Sequence, residues 1–197
     1  MFEQLFQSID QKINLTEEEK TFTKTLFIPK KIRKKQWLLQ EGDVAKYLAF
    51  VEKGLLRSYT VGRNGTEHIV QFAFEGYWIG DQYSFLTGEP SIFNIDAIED
   101  CELLLLSKQS QDELLDKMPQ FERFFRLLLQ NNLIATQKRM AGTLGRSAEQ
   151  RYMDLMVTCP TTINTRVPLH MLASYLGITP ETLSRIRRQI SQRKKAS

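Results

Sequence analysis

The sequence has few of the residues on which metal and redox chemistry depend. Its 197 residues include two cysteines, Cys101 and Cys159, and two histidines, His68 and His170. The cysteines lie far apart and form no Cys-x-x-Cys pair, which is typical of a reduced compartment. A cupin-type metal enzyme needs clustered histidines, whereas these two fall in different predicted domains. We therefore predict unpaired cysteines, no metal site and no iron–sulfur cluster, which needs several clustered cysteines.

Catalytic motifs and targeting segments are missing as well. The sequence has no Ser-His-Asp set and no phosphate-binding glycine loop, so we predict that it is not an enzyme and has no catalytic residues. No apolar run approaches the roughly 20 residues of a membrane helix. The first residues, MFEQLFQSID, lack the basic region and the cleavage site of a secretory signal. With a hydrophobic fraction of 42%, the chain is expected to be a cytoplasmic globular protein without membrane association.

Basic residues are concentrated towards the C-terminal end. The net charge is +4, and six of the 27 Lys and Arg residues lie within residues 180–197, beside a single acid, Glu181. A nearly neutral body with a basic tip favours an anionic polymer as partner. A solvated terminal tail is the alternative, and charge alone does not separate the two. A second basic run, residues 30–35, is more typical of a solvated sheet edge.

The hydrophobic pattern changes along the chain. Residues 3–26 have helical spacing, and Thr16 with Glu19 forms a capping box for a helix that ends near residue 26. In residues 28–108, short apolar or alternating runs are separated by turns about every ten residues, which predicts an all-β sandwich or barrel. The dipeptide 64–65, Asn-Gly, is the best hairpin signal, because both residues accept a positive φ.

The rest of the chain follows a helical pattern. A short helix covers residues 109–117, and a long one runs from Pro119 to about Leu144 with apolar residues at three- and four-residue steps. A helix of this length is either a core helix or a dimer seam, and the pattern fits both. Another amphipathic helix begins at Ser147, so we place a domain boundary near residues 142–147.

Residues 167–190, VPLHMLASYLGITPETLSRIRRQI, carry the strongest signal in the sequence. Pro168 begins a helix, which Gly177 ends by adopting the left-handed cap conformation. Thr179 caps a second helix, and Pro180 suits its first position. Two short helices joined by a glycine turn are typical of the helix-turn-helix unit. The alternative is a surface helical hairpin with a polar outer face.

The outer face of the second helix has the chemistry that the DNA major groove requires. An acid can accept a hydrogen bond from cytosine, an arginine can donate twice to guanine, and hydroxyls can contact phosphates. The residues on this face are Glu181, Thr182, Ser184, Arg185 and Arg188.

In the order of these elements, residues 28–190 resemble the Crp/Fnr family of bacterial regulators. The resemblance implies an α+β fold: an antiparallel, jelly-roll-like β-roll of eight strands with flanking helices, a long dimerisation helix and a small helix-turn-helix domain. It implies the domain division 1–118 for the sensor, 119–144 for the dimerisation helix and 145–197 for DNA binding. The glycines that it places at turns of the roll are Gly42, Gly54, Gly76 and Gly80.

The resemblance also implies DNA contacts. The family's recognition-helix pattern is Arg-Glu-Thr-Val-x-Arg, and residues 180–185 read Pro-Glu-Thr-Leu-Ser-Arg. Glu181 and Arg185 therefore match base-reading positions, whereas Pro180 replaces a donor. The positions of expected phosphate contacts are His170, Thr179 and Thr182. The resemblance implies a homodimer on a two-half-site operator, with RNA polymerase as a further partner, and the family's β-hairpin wing is expected to be short or missing here.

Effector binding follows the resemblance less closely. Cyclic-nucleotide binders of the family cradle the phosphate with Gly-Glu-Leu and, further along, an arginine followed by Ser or Thr. Here Gly80 and Asp81 match loosely, and Ser91 stands at the arginine position. A buried phosphate needs a cation, so cyclic AMP is disfavoured, and the pocket is either empty or holds another, unknown small-molecule effector. The predicted pocket residues are Gly80, Asp81, Gln82, Tyr83, Ser91 and Thr136.

Two alternatives concern what the β-roll senses. His68 could be a haem ligand, but a surface histidine in a strand explains it better. A module that binds a cyclic nucleotide or another small molecule without reading DNA would explain the β-roll. That hypothesis leaves residues 167–190 without a purpose.

Overall fold

The computed structural model describes residues 1–158 and 163–196, so the prediction for Cys159 lies outside the described residues. The chain divides into two compact units. The first comprises residues 1–60 and 70–131, and the second comprises residues 61–69 and 132–197. The sequence-based division at residues 118 and 144 stays a prediction.

Two short helices open the first unit, α1 (Glu3–Asp10) and α2 (Glu17–Leu26). The predicted capping box is present at the start of α2. Thr16 Oγ1 accepts from the Glu19 N–H at 3.2 Å, and the Glu19 carboxylate accepts from the Thr16 N–H at 2.8 Å. The Thr16 backbone hydrogen bond, followed by one from the Gln120 side chain, lowers the pKa of Glu19. The single helical stretch expected over residues 3–26 is thus two helices with a break between them.

A β-roll follows, made in the described residues from eight strands and the short helix α3. The elements are β1 (Phe27–Ile32), β2 (Trp37–Leu39), β3 (Tyr47–Lys53), β4 (Leu56–Val61), β5 (Glu67–Ala73), β6 (Trp78–Ile79), α3 (Gln82–Thr87), β7 (Asn94–Ala97) and β8 (Cys101–Ser107). They form two four-stranded sheets with the strand orders β1-β8-β3-β6 and β2-β7-β4-β5. The pairs β1–β8, β8–β3, β3–β6, β2–β7 and β7–β4 are antiparallel. The predicted α+β fold with an antiparallel β-roll is confirmed.

The two faces of the first sheet pack against different partners. Val51 and Leu103 belong to a core cluster that also contains buried residues of the second sheet. Their neighbours Phe50 and Leu104 point the other way, because successive strand residues alternate between faces. These two belong to a second core cluster, which includes Phe121 and residues of α1. Each fully buried side chain of this size contributes about 1.5–3 kcal/mol relative to an exposed one.

The glycines of the roll serve two purposes. Gly42, Gly54 and Gly76 lie at turns with positive φ. Gly80 has no such φ, and its role is a close approach: a Cβ there would lie 2.8 Å from Cδ2 of Leu48. Gly80, predicted to lie at a turn, is at the bend between β6 and α3, and the close approach of Leu48 adds a packing requirement there.

The predicted hairpin at Asn64-Gly65 forms between β4 and β5 with a different turn. Gly65 alone of the pair has a positive φ, 79°. The Asn64 side chain accepts from the Thr66 N–H at 3.1 Å. The Gly62 N–H donates to the Thr66 carbonyl at 2.8 Å, so the turn is longer than the two-residue type.

After the roll, α4 (Lys108–Lys117) leads to the long helix α5 (Gln120–Gly145). The start of α5 is a core helix, since Phe121 and Phe124 are at most 1% exposed. Leu129, Leu133, Met140 and Leu144, further along the helix, are instead 52–83% exposed. These residues share one helix face with Thr136 because of their three- and four-residue steps, and we call them the α5 stripe. The stripe consists of Leu129, Leu133, Thr136, Met140 and Leu144.

The second unit contains the hairpin tip, residues 61–69, and the C-terminal helices. The helices are α6 (Ala148–Thr158), α7 (Ile163–Arg166), α8 (Leu169–Tyr175) and α9 (Pro180–Ala196). The stretch after Ile190, where a wing would begin, is the helical continuation of α9. No helix within residues 1–158 and 163–196 combines the length and apolar character needed to cross a membrane.

Candidate nucleic-acid interface

The helix-turn-helix forms as its sequence predicts. Gly177 adopts a φ of 65° directly after Leu176, the C-cap residue of α8. Thr179 caps α9, because its Oγ1 accepts from the Thr182 N–H at 3.2 Å, and Pro180 is the first residue of α9. The two helices pack through Ala173 and Leu183, both fully buried. The small side chain at Ala173 lets the helix axes come close together.

The opposite side of α9 is exposed. Glu181, Ser184, Arg185 and Arg188 are all exposed, and their spacing of three and four residues puts them on one helix face. Thr182 is half-buried at the border of this face. We call these five residues the α9 face.

The α9 face includes one acidic group with a perturbed pKa. The backbone N–H of Glu181 itself, and then the Thr179 hydroxyl, lower the pKa of the Glu181 carboxyl. Glu181 is therefore an ionised acceptor at neutral pH. This is the state that accepts a hydrogen bond from the amino group of cytosine.

The two remaining predicted DNA-binding residues lie near helix N-termini. His170 is the second residue of α8 and is exposed. Thr179 is exposed and precedes the first turn of α9. Backbone N–H groups at helix N-termini attract anions, so both positions suit a phosphate.

Two basic residues of α9 have protein partners, which the charge of the tail alone does not reveal. Arg187 is half-buried, and its Nη2 donates to Asn164 Oδ1 at 2.7 Å. Its guanidinium lies 5.7 Å from the ring centre of Tyr152. Arg193 is paired with Glu149 of α6. The sequence pattern places these residues on a helix but does not show which of them have protein partners.

In the segment predicted to cradle an effector phosphate, Asp81 and Ser91 make hydrogen bonds within the protein. Asp81 caps α3, since its Oδ1 accepts from the N–H groups of Tyr83 at 3.0 Å and Ser84 at 3.2 Å. Its Oδ2 accepts from the Ser91 hydroxyl at 2.7 Å. Asp81 and Ser91 are 4% and 2% exposed. An anion placed here would face a buried carboxylate, and Ser91 provides no charge to attract it, so these residues do not fit a cyclic phosphate.

The other predicted pocket residues are dispersed. Gln82 and Tyr83 are exposed on α3, and Gly80 packs against Leu48. Thr136 is exposed on α5 and belongs to the second unit, where its hydroxyl donates to Asn132 Oδ1 at 3.3 Å. The first unit brings together Asp81 and Ser91 of the predicted set, through a direct hydrogen bond.

Sequence reasoning missed a buried ion pair inside the β-roll. Arg57 of β4 lies opposite Asp96 of β7 in the strand register. Arg57 Nε donates to Asp96 Oδ1 at 2.7 Å and Nη2 donates to Oδ2 at 2.9 Å. The guanidinium lies 4.1 Å from the ring centre of Tyr59. The sequence did contain a signal for this pair: β4 has a single charged residue, Arg57, and β7 has a single charged residue, Asp96.

Comparisons with known proteins agree with this architecture. Residues 29–118 match the cyclic nucleotide-binding domain family. The chain is 27% identical over 167 residues to the fumarate and nitrate reduction regulatory protein of Vibrio cholerae, covering 80% of this chain and 66% of that protein. It is 26% identical over 188 residues to the probable transcriptional regulator flp of Lacticaseibacillus casei, covering 92% and 84%. The structure of FixK2 from Bradyrhizobium japonicum superimposes with a TM-score of 0.72 at 22% identity, covering 85% and 86%.

Fold, site and relatives define one class of protein. An antiparallel β-roll of the cyclic nucleotide-binding type, a long helix and a helix-turn-helix follow one another in a single chain, as in regulators that combine a sensor-type domain with a DNA-binding domain. The chain has the architecture of a Crp/Fnr-type transcription regulator and is similar in sequence to regulators of that type. It spans about two thirds of the length of the Vibrio cholerae relative.

Proposed function

We propose that this chain is a cytoplasmic, non-enzymatic transcription regulator that binds DNA as a homodimer and reads a two-half-site operator with α9. The observation that carries the proposal is the α9 face. Four of its five residues, all except Thr182, are exposed, while the opposite side of the same helix closes the helix-turn-helix core through Leu183 and Ile186. The names of the relatives, which are regulatory proteins, support the same conclusion.

Each residue of the α9 face has a role in this proposal. Arg185 donates to O6 and N7 of a guanine, and Glu181 accepts from N4 of a cytosine. Arg188 lies one turn further along the helix and contacts the phosphate backbone. Thr182, with His170 and Thr179 near the helix N-termini, holds further phosphates.

We propose that the chain dimerises through the α5 stripe, because the apolar side chains of the stripe are exposed. Leu129, Leu133, Met140 and Leu144 repeat with the three- and four-residue steps that favour pairing of two helices. A second copy of the same helix would remove these side chains from water, and symmetric homodimers are the commonest assembly of soluble chains. Two helix-turn-helix units then read two half-sites, and RNA polymerase is the expected partner at the promoter.

Effector control without a cyclic nucleotide is the second part of the proposal. The hydrogen bond between Asp81 and Ser91, in the segment that the family resemblance assigns to the phosphate, supports this part of the proposal. If the chain has a small-molecule effector, that molecule is of another class. Cyclic AMP at millimolar concentration should therefore leave the melting temperature and the DNA affinity of the protein unchanged.

Selection from a pool of randomised duplex DNA tests the proposed function. The proposal predicts enrichment of an inverted repeat whose half-site centres are separated by about 10 base pairs, one helical turn, or a multiple of it. A pool that remains random after repeated rounds, with and without candidate small molecules, would overturn the proposal. That result would favour a ligand-binding module that does not read DNA.

A further inference from the structure

The side chain of Ser174, near the end of α8, makes two hydrogen bonds to the hairpin tip. Its hydroxyl donates to the Glu67 carbonyl at 2.8 Å and accepts from the Ile69 N–H at 3.1 Å. More than one hundred residues separate Ser174 from these partners in the sequence. All three residues belong to the second unit.

The geometry of β5 explains why one hydroxyl can hold both groups. β5 is the last strand in the order β2-β7-β4-β5, so one of its edges has no neighbouring strand in the sheet. The carbonyl of residue 67 and the N–H of residue 69 point towards the same edge, because backbone groups alternate in direction along a strand. A serine hydroxyl donates once and accepts, so it matches this pair of groups.

Tyr175, the next residue of α8, contacts the part of α5 that belongs to the same unit. The guanidinium of Arg139 on α5 lies 5.0 Å from the ring centre of Tyr175, within the range of a cation–π interaction. Ser174 and Tyr175 thus connect α8 to the hairpin tip and to the half of α5 that carries the α5 stripe. In this arrangement Arg185 and Arg188 remain exposed.

We propose that Ser174 is a positioning residue for DNA binding: its two hydrogen bonds fix the helix-turn-helix relative to the hairpin tip and to α5, so that α9 is held ready for a two-half-site operator. This inference rests on the proposed function. Fixing a binding element in its bound orientation lowers the entropy cost of association. The benefit arises when both half-sites are bound together, because one helix-turn-helix alone can rotate freely to meet a single half-site.

The test compares Ser174→Ala, which removes the hydroxyl, with Ser174→Thr, which keeps it. Thr66→Ala serves as control, because Thr66 is an exposed hydroxyl residue of the hairpin tip and lies outside α9. The probes are the inverted-repeat duplex that the wild-type protein selects and the same duplex with one half-site scrambled. Ser174→Ala should bind the full site about fivefold more weakly, the effect of losing one typical net hydrogen bond, and the half-site within about twofold of wild type. Ser174→Thr should restore full-site binding, and Thr66→Ala should leave it unchanged.

Amide hydrogen exchange gives a readout that needs no DNA. The Ile69 amide should exchange about fivefold or more faster in Ser174→Ala, because its hydrogen-bond acceptor is gone, and should be protected again in Ser174→Thr. Unchanged exchange at Ile69, equal losses on full site and half-site, or no rescue by threonine would each overturn the positioning role. If the wild-type protein selects no duplex, the proposed function fails and the positioning role fails with it. The exchange data still decide whether the two hydrogen bonds form.

Discussion

At the scale of single residues, α9 separates arginines that face outwards from one that faces inwards. Arg185 is exposed on the α9 face, whereas Arg187, two positions later, donates to Asn164 and lies beside Tyr152. Helical spacing predicted the outward group, because residues 181, 184, 185 and 188 share a face. The inward partner could not be predicted, since Asn164 is 23 residues away and reaches Arg187 only through the tertiary fold.

This contrast gives a matched pair of substitutions. Arg185→Ala should weaken binding to the selected operator by about 1–3 kcal/mol and spare much of the nonspecific binding, because a guanine contact is lost. Arg187→Ala should leave operator affinity within about twofold, while it lowers stability by about 1 kcal/mol through the lost hydrogen bond. Fluorescence anisotropy with labelled duplex measures the first effect, and thermal unfolding measures the second. Equal losses of affinity in both variants would contradict the assignment of the two faces.

At the scale of elements, the helix caps show which structural features can be predicted from the local sequence. The Thr16–Glu19 box and the Gly177 turn were predictable, because donor and acceptor lie within a few residues. The start of α1 is different. Its cap position, Phe2, makes no side-chain hydrogen bond, and the Leu5 N–H donates at 2.8 Å to the carboxylate of Glu52, 47 residues away. No local pattern indicates such a partner.

Glu52 should therefore contribute to the stability of the first unit. Glu52→Ala should lower the free energy of unfolding by about 1–3 kcal/mol, because the N–H groups at the start of α1 lose a charged acceptor. Glu102→Ala is the matched control: its 2.8 Å ion pair with Lys31 is partly exposed, so the expected loss is below about 1 kcal/mol. Both tryptophans, Trp37 and Trp78, lie in the first unit, so urea unfolding followed by their fluorescence reports on it. Similar losses in the two variants would argue against Glu52 as the cap of α1.

At the scale of the whole molecule, the long helix shows what periodicity predicts and what it leaves open. Its apolar spacing fitted both a core helix and a dimer seam. The structure buries Phe121 and Phe124 at the start of α5 and leaves the α5 stripe exposed, so the start is a core helix and the stripe is the proposed dimer seam. The boundary depends on how far the β-roll covers the helix, which is a tertiary property and cannot be read from the repeat.

Charged substitutions on α5 test the dimer. Leu133→Glu should convert the protein to a monomer at tens of micromolar, because it places like charges opposite each other in a paired helix. Asn131→Glu introduces the same side chain about 200° around the helix from Leu129, at an exposed position off the stripe, and should remain dimeric. Sedimentation velocity distinguishes the two states. A monomeric wild type, or a dimeric Leu133→Glu, would show that α5 is not the seam.

The salt dependence of DNA binding tests the central proposal most directly. Binding of wild-type protein to fragmented genomic DNA, titrated at several salt concentrations, should weaken steeply as salt rises, because counterions are released when basic groups contact phosphates. Arg188→Ala, which removes the proposed phosphate contact, should reduce the slope of log K against log salt by about 1, and Arg185→Ala should leave that slope nearly unchanged. Binding that is absent, or that does not respond to salt or to Arg188→Ala, would contradict the account of α9 as the DNA-reading helix.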